Sequence, residues 1–347
     1  MKRKYLMPSL IGVAVAALAT TAVAQDKIKL KVATFVPAIS FQVVHGSQVW
    51  MDEVTRLTKG RVEFEFYPAE QLGKAAKLMD LMRAGVIDIV EVAPAYVTDK
   101  LPLVGVIEMP GLVSNNCAAS KVLRKMSSPG GSIYESDFKP INVRPLTFAI
   151  LSPYSLFTAN KEVTKVEDFS GLKLRVSGGV MALAAEKLGA VPVRMSSPDI
   201  YESLSRGTID GVYFAASSIK TGGHAPRIKY AAVGYGFGTP SVLVSISDKK
   251  LASLPKDVQD ALIKAGPVAD EAFCKFMINE QDSVQKEFAA AGMKINQITE
   301  PEKKRLDEAM AGIGPDWAKS LDARGKPGTK VLAEFTNSVL AAEKAAK

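Results

Sequence analysis

The chain has 347 residues, 44 of them basic and 36 acidic, a formal net charge of +8, two cysteines and two histidines. That length is too great for one simple core and makes two lobes the default. The basic residues are scattered; the densest run, Lys303-Lys304-Arg305, sits among Glu300, Glu302, Asp307 and Glu308, so the basic stripe with stacking aromatics that a nucleic-acid binder needs is missing.

At the N-terminus, Lys2, Arg3 and Lys4 precede an apolar stretch from Leu10 to Ala19 and the small-x-small triplet Ala22-Val23-Ala24. This is the pattern of a bacterial-type secretory signal, expected to be cleaved after Ala24. The apolar run is too short to be a membrane span, and no later stretch approaches about 18 uninterrupted apolar residues. An exported, soluble mature chain is expected, with 41 basic against 36 acidic residues. In an oxidising compartment Cys117 and Cys274 could pair, or remain two thiols with at least one buried; the sequence leaves both open. With His45 and His224 they show no zinc-ligand spacing, and no metal or cofactor is expected.

Residues 28–36 read as a strand ending at Pro37. Val43, Ser47, Trp50, Val54 and Leu57 step by four, three, four and three, predicting a helix that stops at Gly60. Val62, Phe64 and Phe66 alternate as a second strand. A second helix runs through Leu72, Ala75, Leu78, Met79 and Met82 to Gly85, and residues 86–90 form a third strand, apolar enough to be buried on both faces. Strand, helix, strand, helix, strand at this spacing predicts a mostly parallel sheet covered by helices.

After a helical and loop region from Pro102 to about Gly131, the pattern resumes with a strand over 143–151 and another over 172–176. A helix over 181–188, a strand over 191–195 and a helix opened by Ser197-Pro198-Asp199 follow, with Ser as N-cap and Pro in the first turn. This second series predicts a second α/β lobe. Strands over 230–233 and 242–246 flank Gly234-Tyr235-Gly236-Phe237-Gly238, which lacks the helix that a phosphate-binding loop requires. From Pro255 the chain reads as helix almost to Gly292, with Pro267 a kink. Such a helix is long enough to brace both lobes. The Ala/Lys tail, 341–347, is expected to fray.

Catalytic motifs are missing: there is no G-x-S-x-G, H-E-x-x-H or P-loop pattern. His45, near the start of the first helix, reads as a surface or capping residue. One feature stands out. In "GLKLRVSGG", Gly171 to Gly179, an apolar strand carries Arg175 just before a glycine-bearing turn. A guanidinium is a rigid fork of donors that matches a carboxylate and stays charged at any working pH.

Five stretches, "FYPAEQLGKAAKLMDLMRAGVIDIV", "VIEMPGLV", "DFSGLKLRV", "KLGAVPVRMSSPDIYESLSRGTIDGV" and "SDKKLASLPKDVQDAL", together resemble the solute-binding subunit of tripartite ATP-independent periplasmic (TRAP) transporters over nearly the whole mature chain. The resemblance implies a two-lobed α/β periplasmic solute-binding fold with a ligand cleft between the lobes and a long bracing helix. It divides the chain into 25–152 plus 241–280 as lobe I and 153–240 plus 281–347 as lobe II. The lobes would open and close about crossing segments near 151–153 and 239–241. It implies a periplasmic receptor, monomeric and not an enzyme, that hands an organic acid to integral membrane subunits. Arg175 matches the family's arginine that forms a two-pronged salt bridge with the ligand carboxylate.

Two departures bear on the ligand. The position where many members carry a ligand-binding asparagine holds Phe214, and the position of the second arginine of sialic-acid-binding members holds Ser155. Phe35, at the end of the first strand, adds a further aromatic surface. Arg175, Phe214, Ser155 and Phe35 are therefore the candidate ligand contacts, and they favour a monocarboxylate with an apolar or aromatic body. The rival readings are an enzyme using Glu91, the only obvious acid on a cleft strand, and a sensor subunit for a membrane kinase.

Overall fold

The computed structural model describes residues 26–345; the secretory signal and its cleavage after Ala24 lie outside the described residues. In chain order the elements are β1 (Ile28–Ala33), α1 (Gln48–Leu57), β2 (Val62–Tyr67), α2 (Leu78–Arg83), β3 (Ile89–Val92), α3 (Asn116–Met126), β4 (Val143–Pro145), β5 (Ala149–Ile150), β6 (Ser155–Thr158), β7 (Lys173–Val176), α4 (Gly179–Lys187) and β8 (Val191–Arg194). They continue with α5 (Ile200–Ser205), β9 (Gly211–Phe214), α6 (Ala216–Thr221), β10 (Tyr230–Val233), β11 (Ser241–Ser247), α7 (Asp248–Ser253), α8 (Lys256–Ala290), β12 (Lys294–Gln297), α9 (Glu300–Met310), α10 (Ile313–Asp322) and α11 (Gly328–Ala345). Among the described residues no helix is long and apolar enough to cross a membrane.

The strands form two sheets, one per lobe. The first has the order β2-β1-β3-β11-β4, with β5 paired to β11. The second has the order β12-β10-β6-β9-β7-β8. In the first, β1, β2 and β3 are parallel, as their spacing predicts. In the second, β7 runs parallel to β8 and β9. The exceptions are the strands that cross between lobes: β11 is antiparallel to β3, and β6 is antiparallel to β9 and β10. A chain that leaves one sheet for the other and returns must enter each from the opposite end.

The two crossings lie side by side. Ser241 pairs with Ile150, Leu151 N–H donates to Pro240 O at 3.0 Å, and Tyr154 N–H donates to Gly238 O at 2.8 Å. The glycine run 234–238 is thus the return crossing. Gly238 has φ +131°, and a Cβ there would lie 2.8 Å from the Glu108 carbonyl oxygen, so the tight approach requires glycine.

Helix α8 spans both lobes. On the first, Trp50 Nε1 donates to Leu262 O at 3.0 Å, and Arg124 Nε donates to Asp270 at 2.7 Å. There Cys274 is also joined to Cys117 of α3 by a disulfide. On the second, Lys220 of α6 pairs with Glu287 at 2.6 Å, and Phe157 of β6 meets Phe288 edge-on. The C-terminal helix α11 packs against α3 and the 3₁₀ turn Leu103–Glu108, while α10 also touches α4.

Several local expectations shift. The third strand begins at Ile89 rather than Val86, because Asp88 accepts from Lys31 N–H at 2.8 Å and pairs with Lys250, while Val86 stays 57% exposed. The predicted strand over 143–151 is two pieces: Thr147 Oγ1 accepts from Val244 N–H, and Asp270 accepts from Phe148 N–H, which interrupts the ladder. The first helix opens with a π turn, Val43–Ser47, in which the half-buried His45 stacks on Phe276 of α8 at 3.8 Å instead of facing solvent or capping. Within the expected fraying tail, residues 341–345 are helical, the end of a helix that runs through Ala345, and residues 346–347 lie outside the described residues.

Candidate functional site: a ring-lined cleft between the lobes

Loops at the C-terminal ends of parallel strands are where α/β sheets bind ligands. Here both sheets turn such ends toward each other. Phe35 follows β1, Tyr96 follows β3, Arg175 lies near the end of β7, and Phe214 ends β9. Between them is a cavity of about 250 Å³. The first lobe lines it with Phe35, Ser40 and Gln42, and the second with Ser197, Tyr201, Phe214, Ser218 and His224.

Arg175 is fully buried, unusual for a cation. Its Nε donates to Met195 O at 3.1 Å, Nη1 to Tyr213 O at 3.4 Å, and Nη2 to the Tyr96 hydroxyl at 3.0 Å. The guanidinium carbon sits 5.0 Å from the centre of the Phe214 ring, a cation–π distance. The Tyr96 hydroxyl also accepts from Ser197 N–H at 3.0 Å, and the Tyr96 ring meets Phe35 edge-on at 5.4 Å. The turn after Arg175 fits this crowding: Gly178 has φ +138°, and a Cβ there would lie 2.5 Å from the Ala95 carbonyl oxygen of the other lobe. Only glycine allows that approach.

Of the four candidate residues, Phe35 and Phe214 line the cavity from opposite lobes. Arg175 lies one ring behind it, over Phe214. Ser155 pairs with Phe214 across the β6–β9 ladder and is buried, outside the lining. Its neighbour Tyr154 meets the Phe214 ring edge-on at 5.4 Å.

Sequence reasoning missed Tyr96, Glu108, Gln42, Ser218 and His224. The position of Tyr96 just past a parallel strand was the available signal. Glu108 is buried beside Gly179, and burial pushes its carboxyl up to about 8, only partly offset by the positive charge of Arg175. Burial, then the Arg175 charge, pushes the His224 imidazole down to about 4, so it is neutral at pH 7. Glu91 is 2% exposed and raised to about 7 by burial, only partly offset by the nearby Ser47 and Thr34 hydroxyls; it does not line the cavity. Among the described residues no group of three or more His, Cys, Asp or Glu side chains is placed to hold a metal ion.

Residues 33–320 match the family model described as bacterial extracellular solute-binding protein, family 7. Among solved structures, the chain is similar to a TRAP periplasmic solute-binding protein from Bordetella bronchiseptica with bound (R)- and (S)-mandelate. The two are 25% identical with a TM-score of 0.80, covering 90% of this chain and 99% of that one. It shares its fold with a TRAP solute-binding protein from Rhodoferax ferrireducens in complex with copurified benzoate, at 24% identity and TM-score 0.85, covering 92% of this chain and 100% of that one. The C4-dicarboxylate-binding periplasmic protein DctP of Rhodobacter capsulatus is 24% identical over 285 residues, 80% of this chain and 83% of that protein.

Proposed function

We propose, for a chain that belongs to family 7 of the bacterial extracellular solute-binding proteins and is the solute receptor of a TRAP transporter, that the captured solute is a monocarboxylate with an aromatic body, clamped by Arg175. Members of this family are periplasmic transport receptors, not enzymes, and deliver small carboxylates to membrane subunits. The reading rests above all on one observation: a fully buried guanidinium beside a cavity walled by aromatic rings from both lobes.

The hydrogen-bond count supports the clamp. Three of the five N–H groups of Arg175 have partners, so each terminal nitrogen keeps a donor that a carboxylate reaching past the Phe214 ring could accept. The cavity, about 250 Å³, is at the small end for ligand pockets. Its lining holds Phe35, Tyr201 and Phe214 but no lysine or arginine, so a dicarboxylate would bury its second charge unpaired, at a cost of several kcal/mol. The relative with bound mandelate, an aromatic monocarboxylate, supports the same class. The cleft is completed by two lobes of one chain, consistent with a monomer that closes about its crossing segments.

A thermal-shift screen of the mature protein tests the reading. Benzoate, phenylacetate and mandelate should give larger shifts than succinate, malate or sialic acid. Top shifts from the dicarboxylates or the sugar acid, with none from the aromatic acids, would overturn it.

A further inference from the structure

The cavity is not lined by rings alone. Gln42, Ser218 and His224 line it, and they are 7%, 4% and 4% exposed. Gln42 Oε1, Ser218 Oγ and His224 Nδ1 are each buried without a hydrogen-bond partner in the protein. Most buried side-chain polar atoms are paired, so three unpaired ones around one cavity call for a ligand. An all-hydrocarbon ring would leave them stranded.

We infer that the ring of the captured acid carries a hydroxyl, read by Gln42 from one lobe and by Ser218 and His224 from the other. This rests on the reading of the site as an aromatic monocarboxylate receptor and narrows it. The donor inventory selects the substituent. An amide oxygen only accepts, so the group it meets must donate. A serine hydroxyl and a neutral imidazole nitrogen can each take the complementary role. A hydroxyl donates once and accepts as well, so it can satisfy Gln42 and one of the other two together. A halide or a methoxy group cannot donate. An amino group on the ring is neutral at pH 7 and donates, but its nitrogen is a poor acceptor, so it cannot both donate to Gln42 and accept from Ser218 as a hydroxyl can.

The arrangement also dictates how sharp the selection is. A site with buried polar groups aimed at a substrate hydroxyl discriminates strongly against an analogue that lacks it, because those groups are then left unpaired. A methyl group in place of the hydroxyl keeps the size and removes the pairing. Gln42 and the Ser218–His224 pair stand on different lobes, so the hydroxyl would be read only when the lobes are together.

The test is calorimetry of the mature protein with benzoate, the three monohydroxybenzoates and the three methylbenzoates. One hydroxy isomer should bind at least tenfold more tightly than benzoate, and more tightly still than its methyl counterpart. Ser218→Ala should remove most of the advantage of that hydroxy isomer over its methyl counterpart. Gln42→Met, on the other lobe, is the second variant should Ser218→Ala fold poorly. If benzoate binds and no hydroxy isomer exceeds its methyl counterpart, the inference is wrong while the aromatic reading stands. If none of the seven acids binds, the inference falls, and the aromatic reading falls with it unless phenylacetate or mandelate gives a thermal shift.

Discussion

The Tyr96 hydroxyl of one lobe accepts a hydrogen bond from Arg175 Nη2 of the other at 3.0 Å. The same oxygen accepts from Ser197 N–H, so a single phenol ties the first lobe to two points on the second. These bonds exist only when the lobes are together, so they favour the closed form. Tyr96→Phe removes the oxygen and keeps the ring against Phe35. Its affinity for the best aromatic acid should fall by about 0.5–1.5 kcal/mol, the usual worth of a hydrogen bond. In small-angle scattering, ligand should shrink the wild-type radius of gyration, and the variant should need more ligand for the same change. Equal affinities would show that the contact contributes nothing to closure.

Arg175→Ala should leave the protein folded and weaken binding of a carboxylate by about 2–5 kcal/mol, the range for losing one partner of a buried charge pair. Arg175→Lys should recover little of it, since a compact ammonium cannot hold Met195 O, Tyr213 O and a carboxylate at once. Calorimetry on both variants checks this; near-wild-type affinity in Arg175→Ala would remove the clamp from the account.

Glu108 and Glu91 give stability a pH dependence with a definite sign. Burial raises both carboxyls in the folded protein, to about 8 and about 7, from an ordinary value of 4.5. Between 4.5 and those values the folded state holds protons that the unfolded state has released. Stability should therefore be greatest below about pH 4.5 as far as these two groups act, and fall as pH rises toward 8, by at most about 1.4 kcal/mol per pH unit for each. Glu108→Gln should flatten the part due to Glu108. Urea unfolding at pH 5, 6.5 and 8 compares the slopes, and parallel slopes in wild type and variant would refute the assignment.

How much of this the sequence could reveal depended on how local each cause was. The alternation of Val62, Phe64 and Phe66 and the four-three stepping around Trp50 are local signals, and β2 and α1 follow them. The start of β3 depended on Asp88 meeting Lys31 and Lys250, residues 57 and 162 positions away, which no window contains. The interruption after β4 likewise depended on Asp270. In the site, Arg175 was legible because a charged fork at the end of an apolar strand is odd by itself. Tyr96 acquires its role only from a partner 79 positions away. Gln42 and His224 look ordinary until two lobes enclose them.

The disulfide should stabilise the protein by about 2–5 kcal/mol, chiefly by restricting the unfolded chain, because it joins residues 157 positions apart. Cys117→Ser with Cys274→Ser should lower the unfolding free energy by that amount, and reductant should lower the wild-type melting temperature but not that of the double variant.

The same bond makes residues 117–274 a covalent circle. Every strand of the second sheet except β12 lies on it, as do Arg175 and Phe214. A protease that cuts the circle once opens it without dividing the molecule. Cleavage after the exposed Arg206 should give one band on a denaturing gel without reductant and two with it, whereas cleavage after the exposed Lys59, off the circle, should give two bands either way.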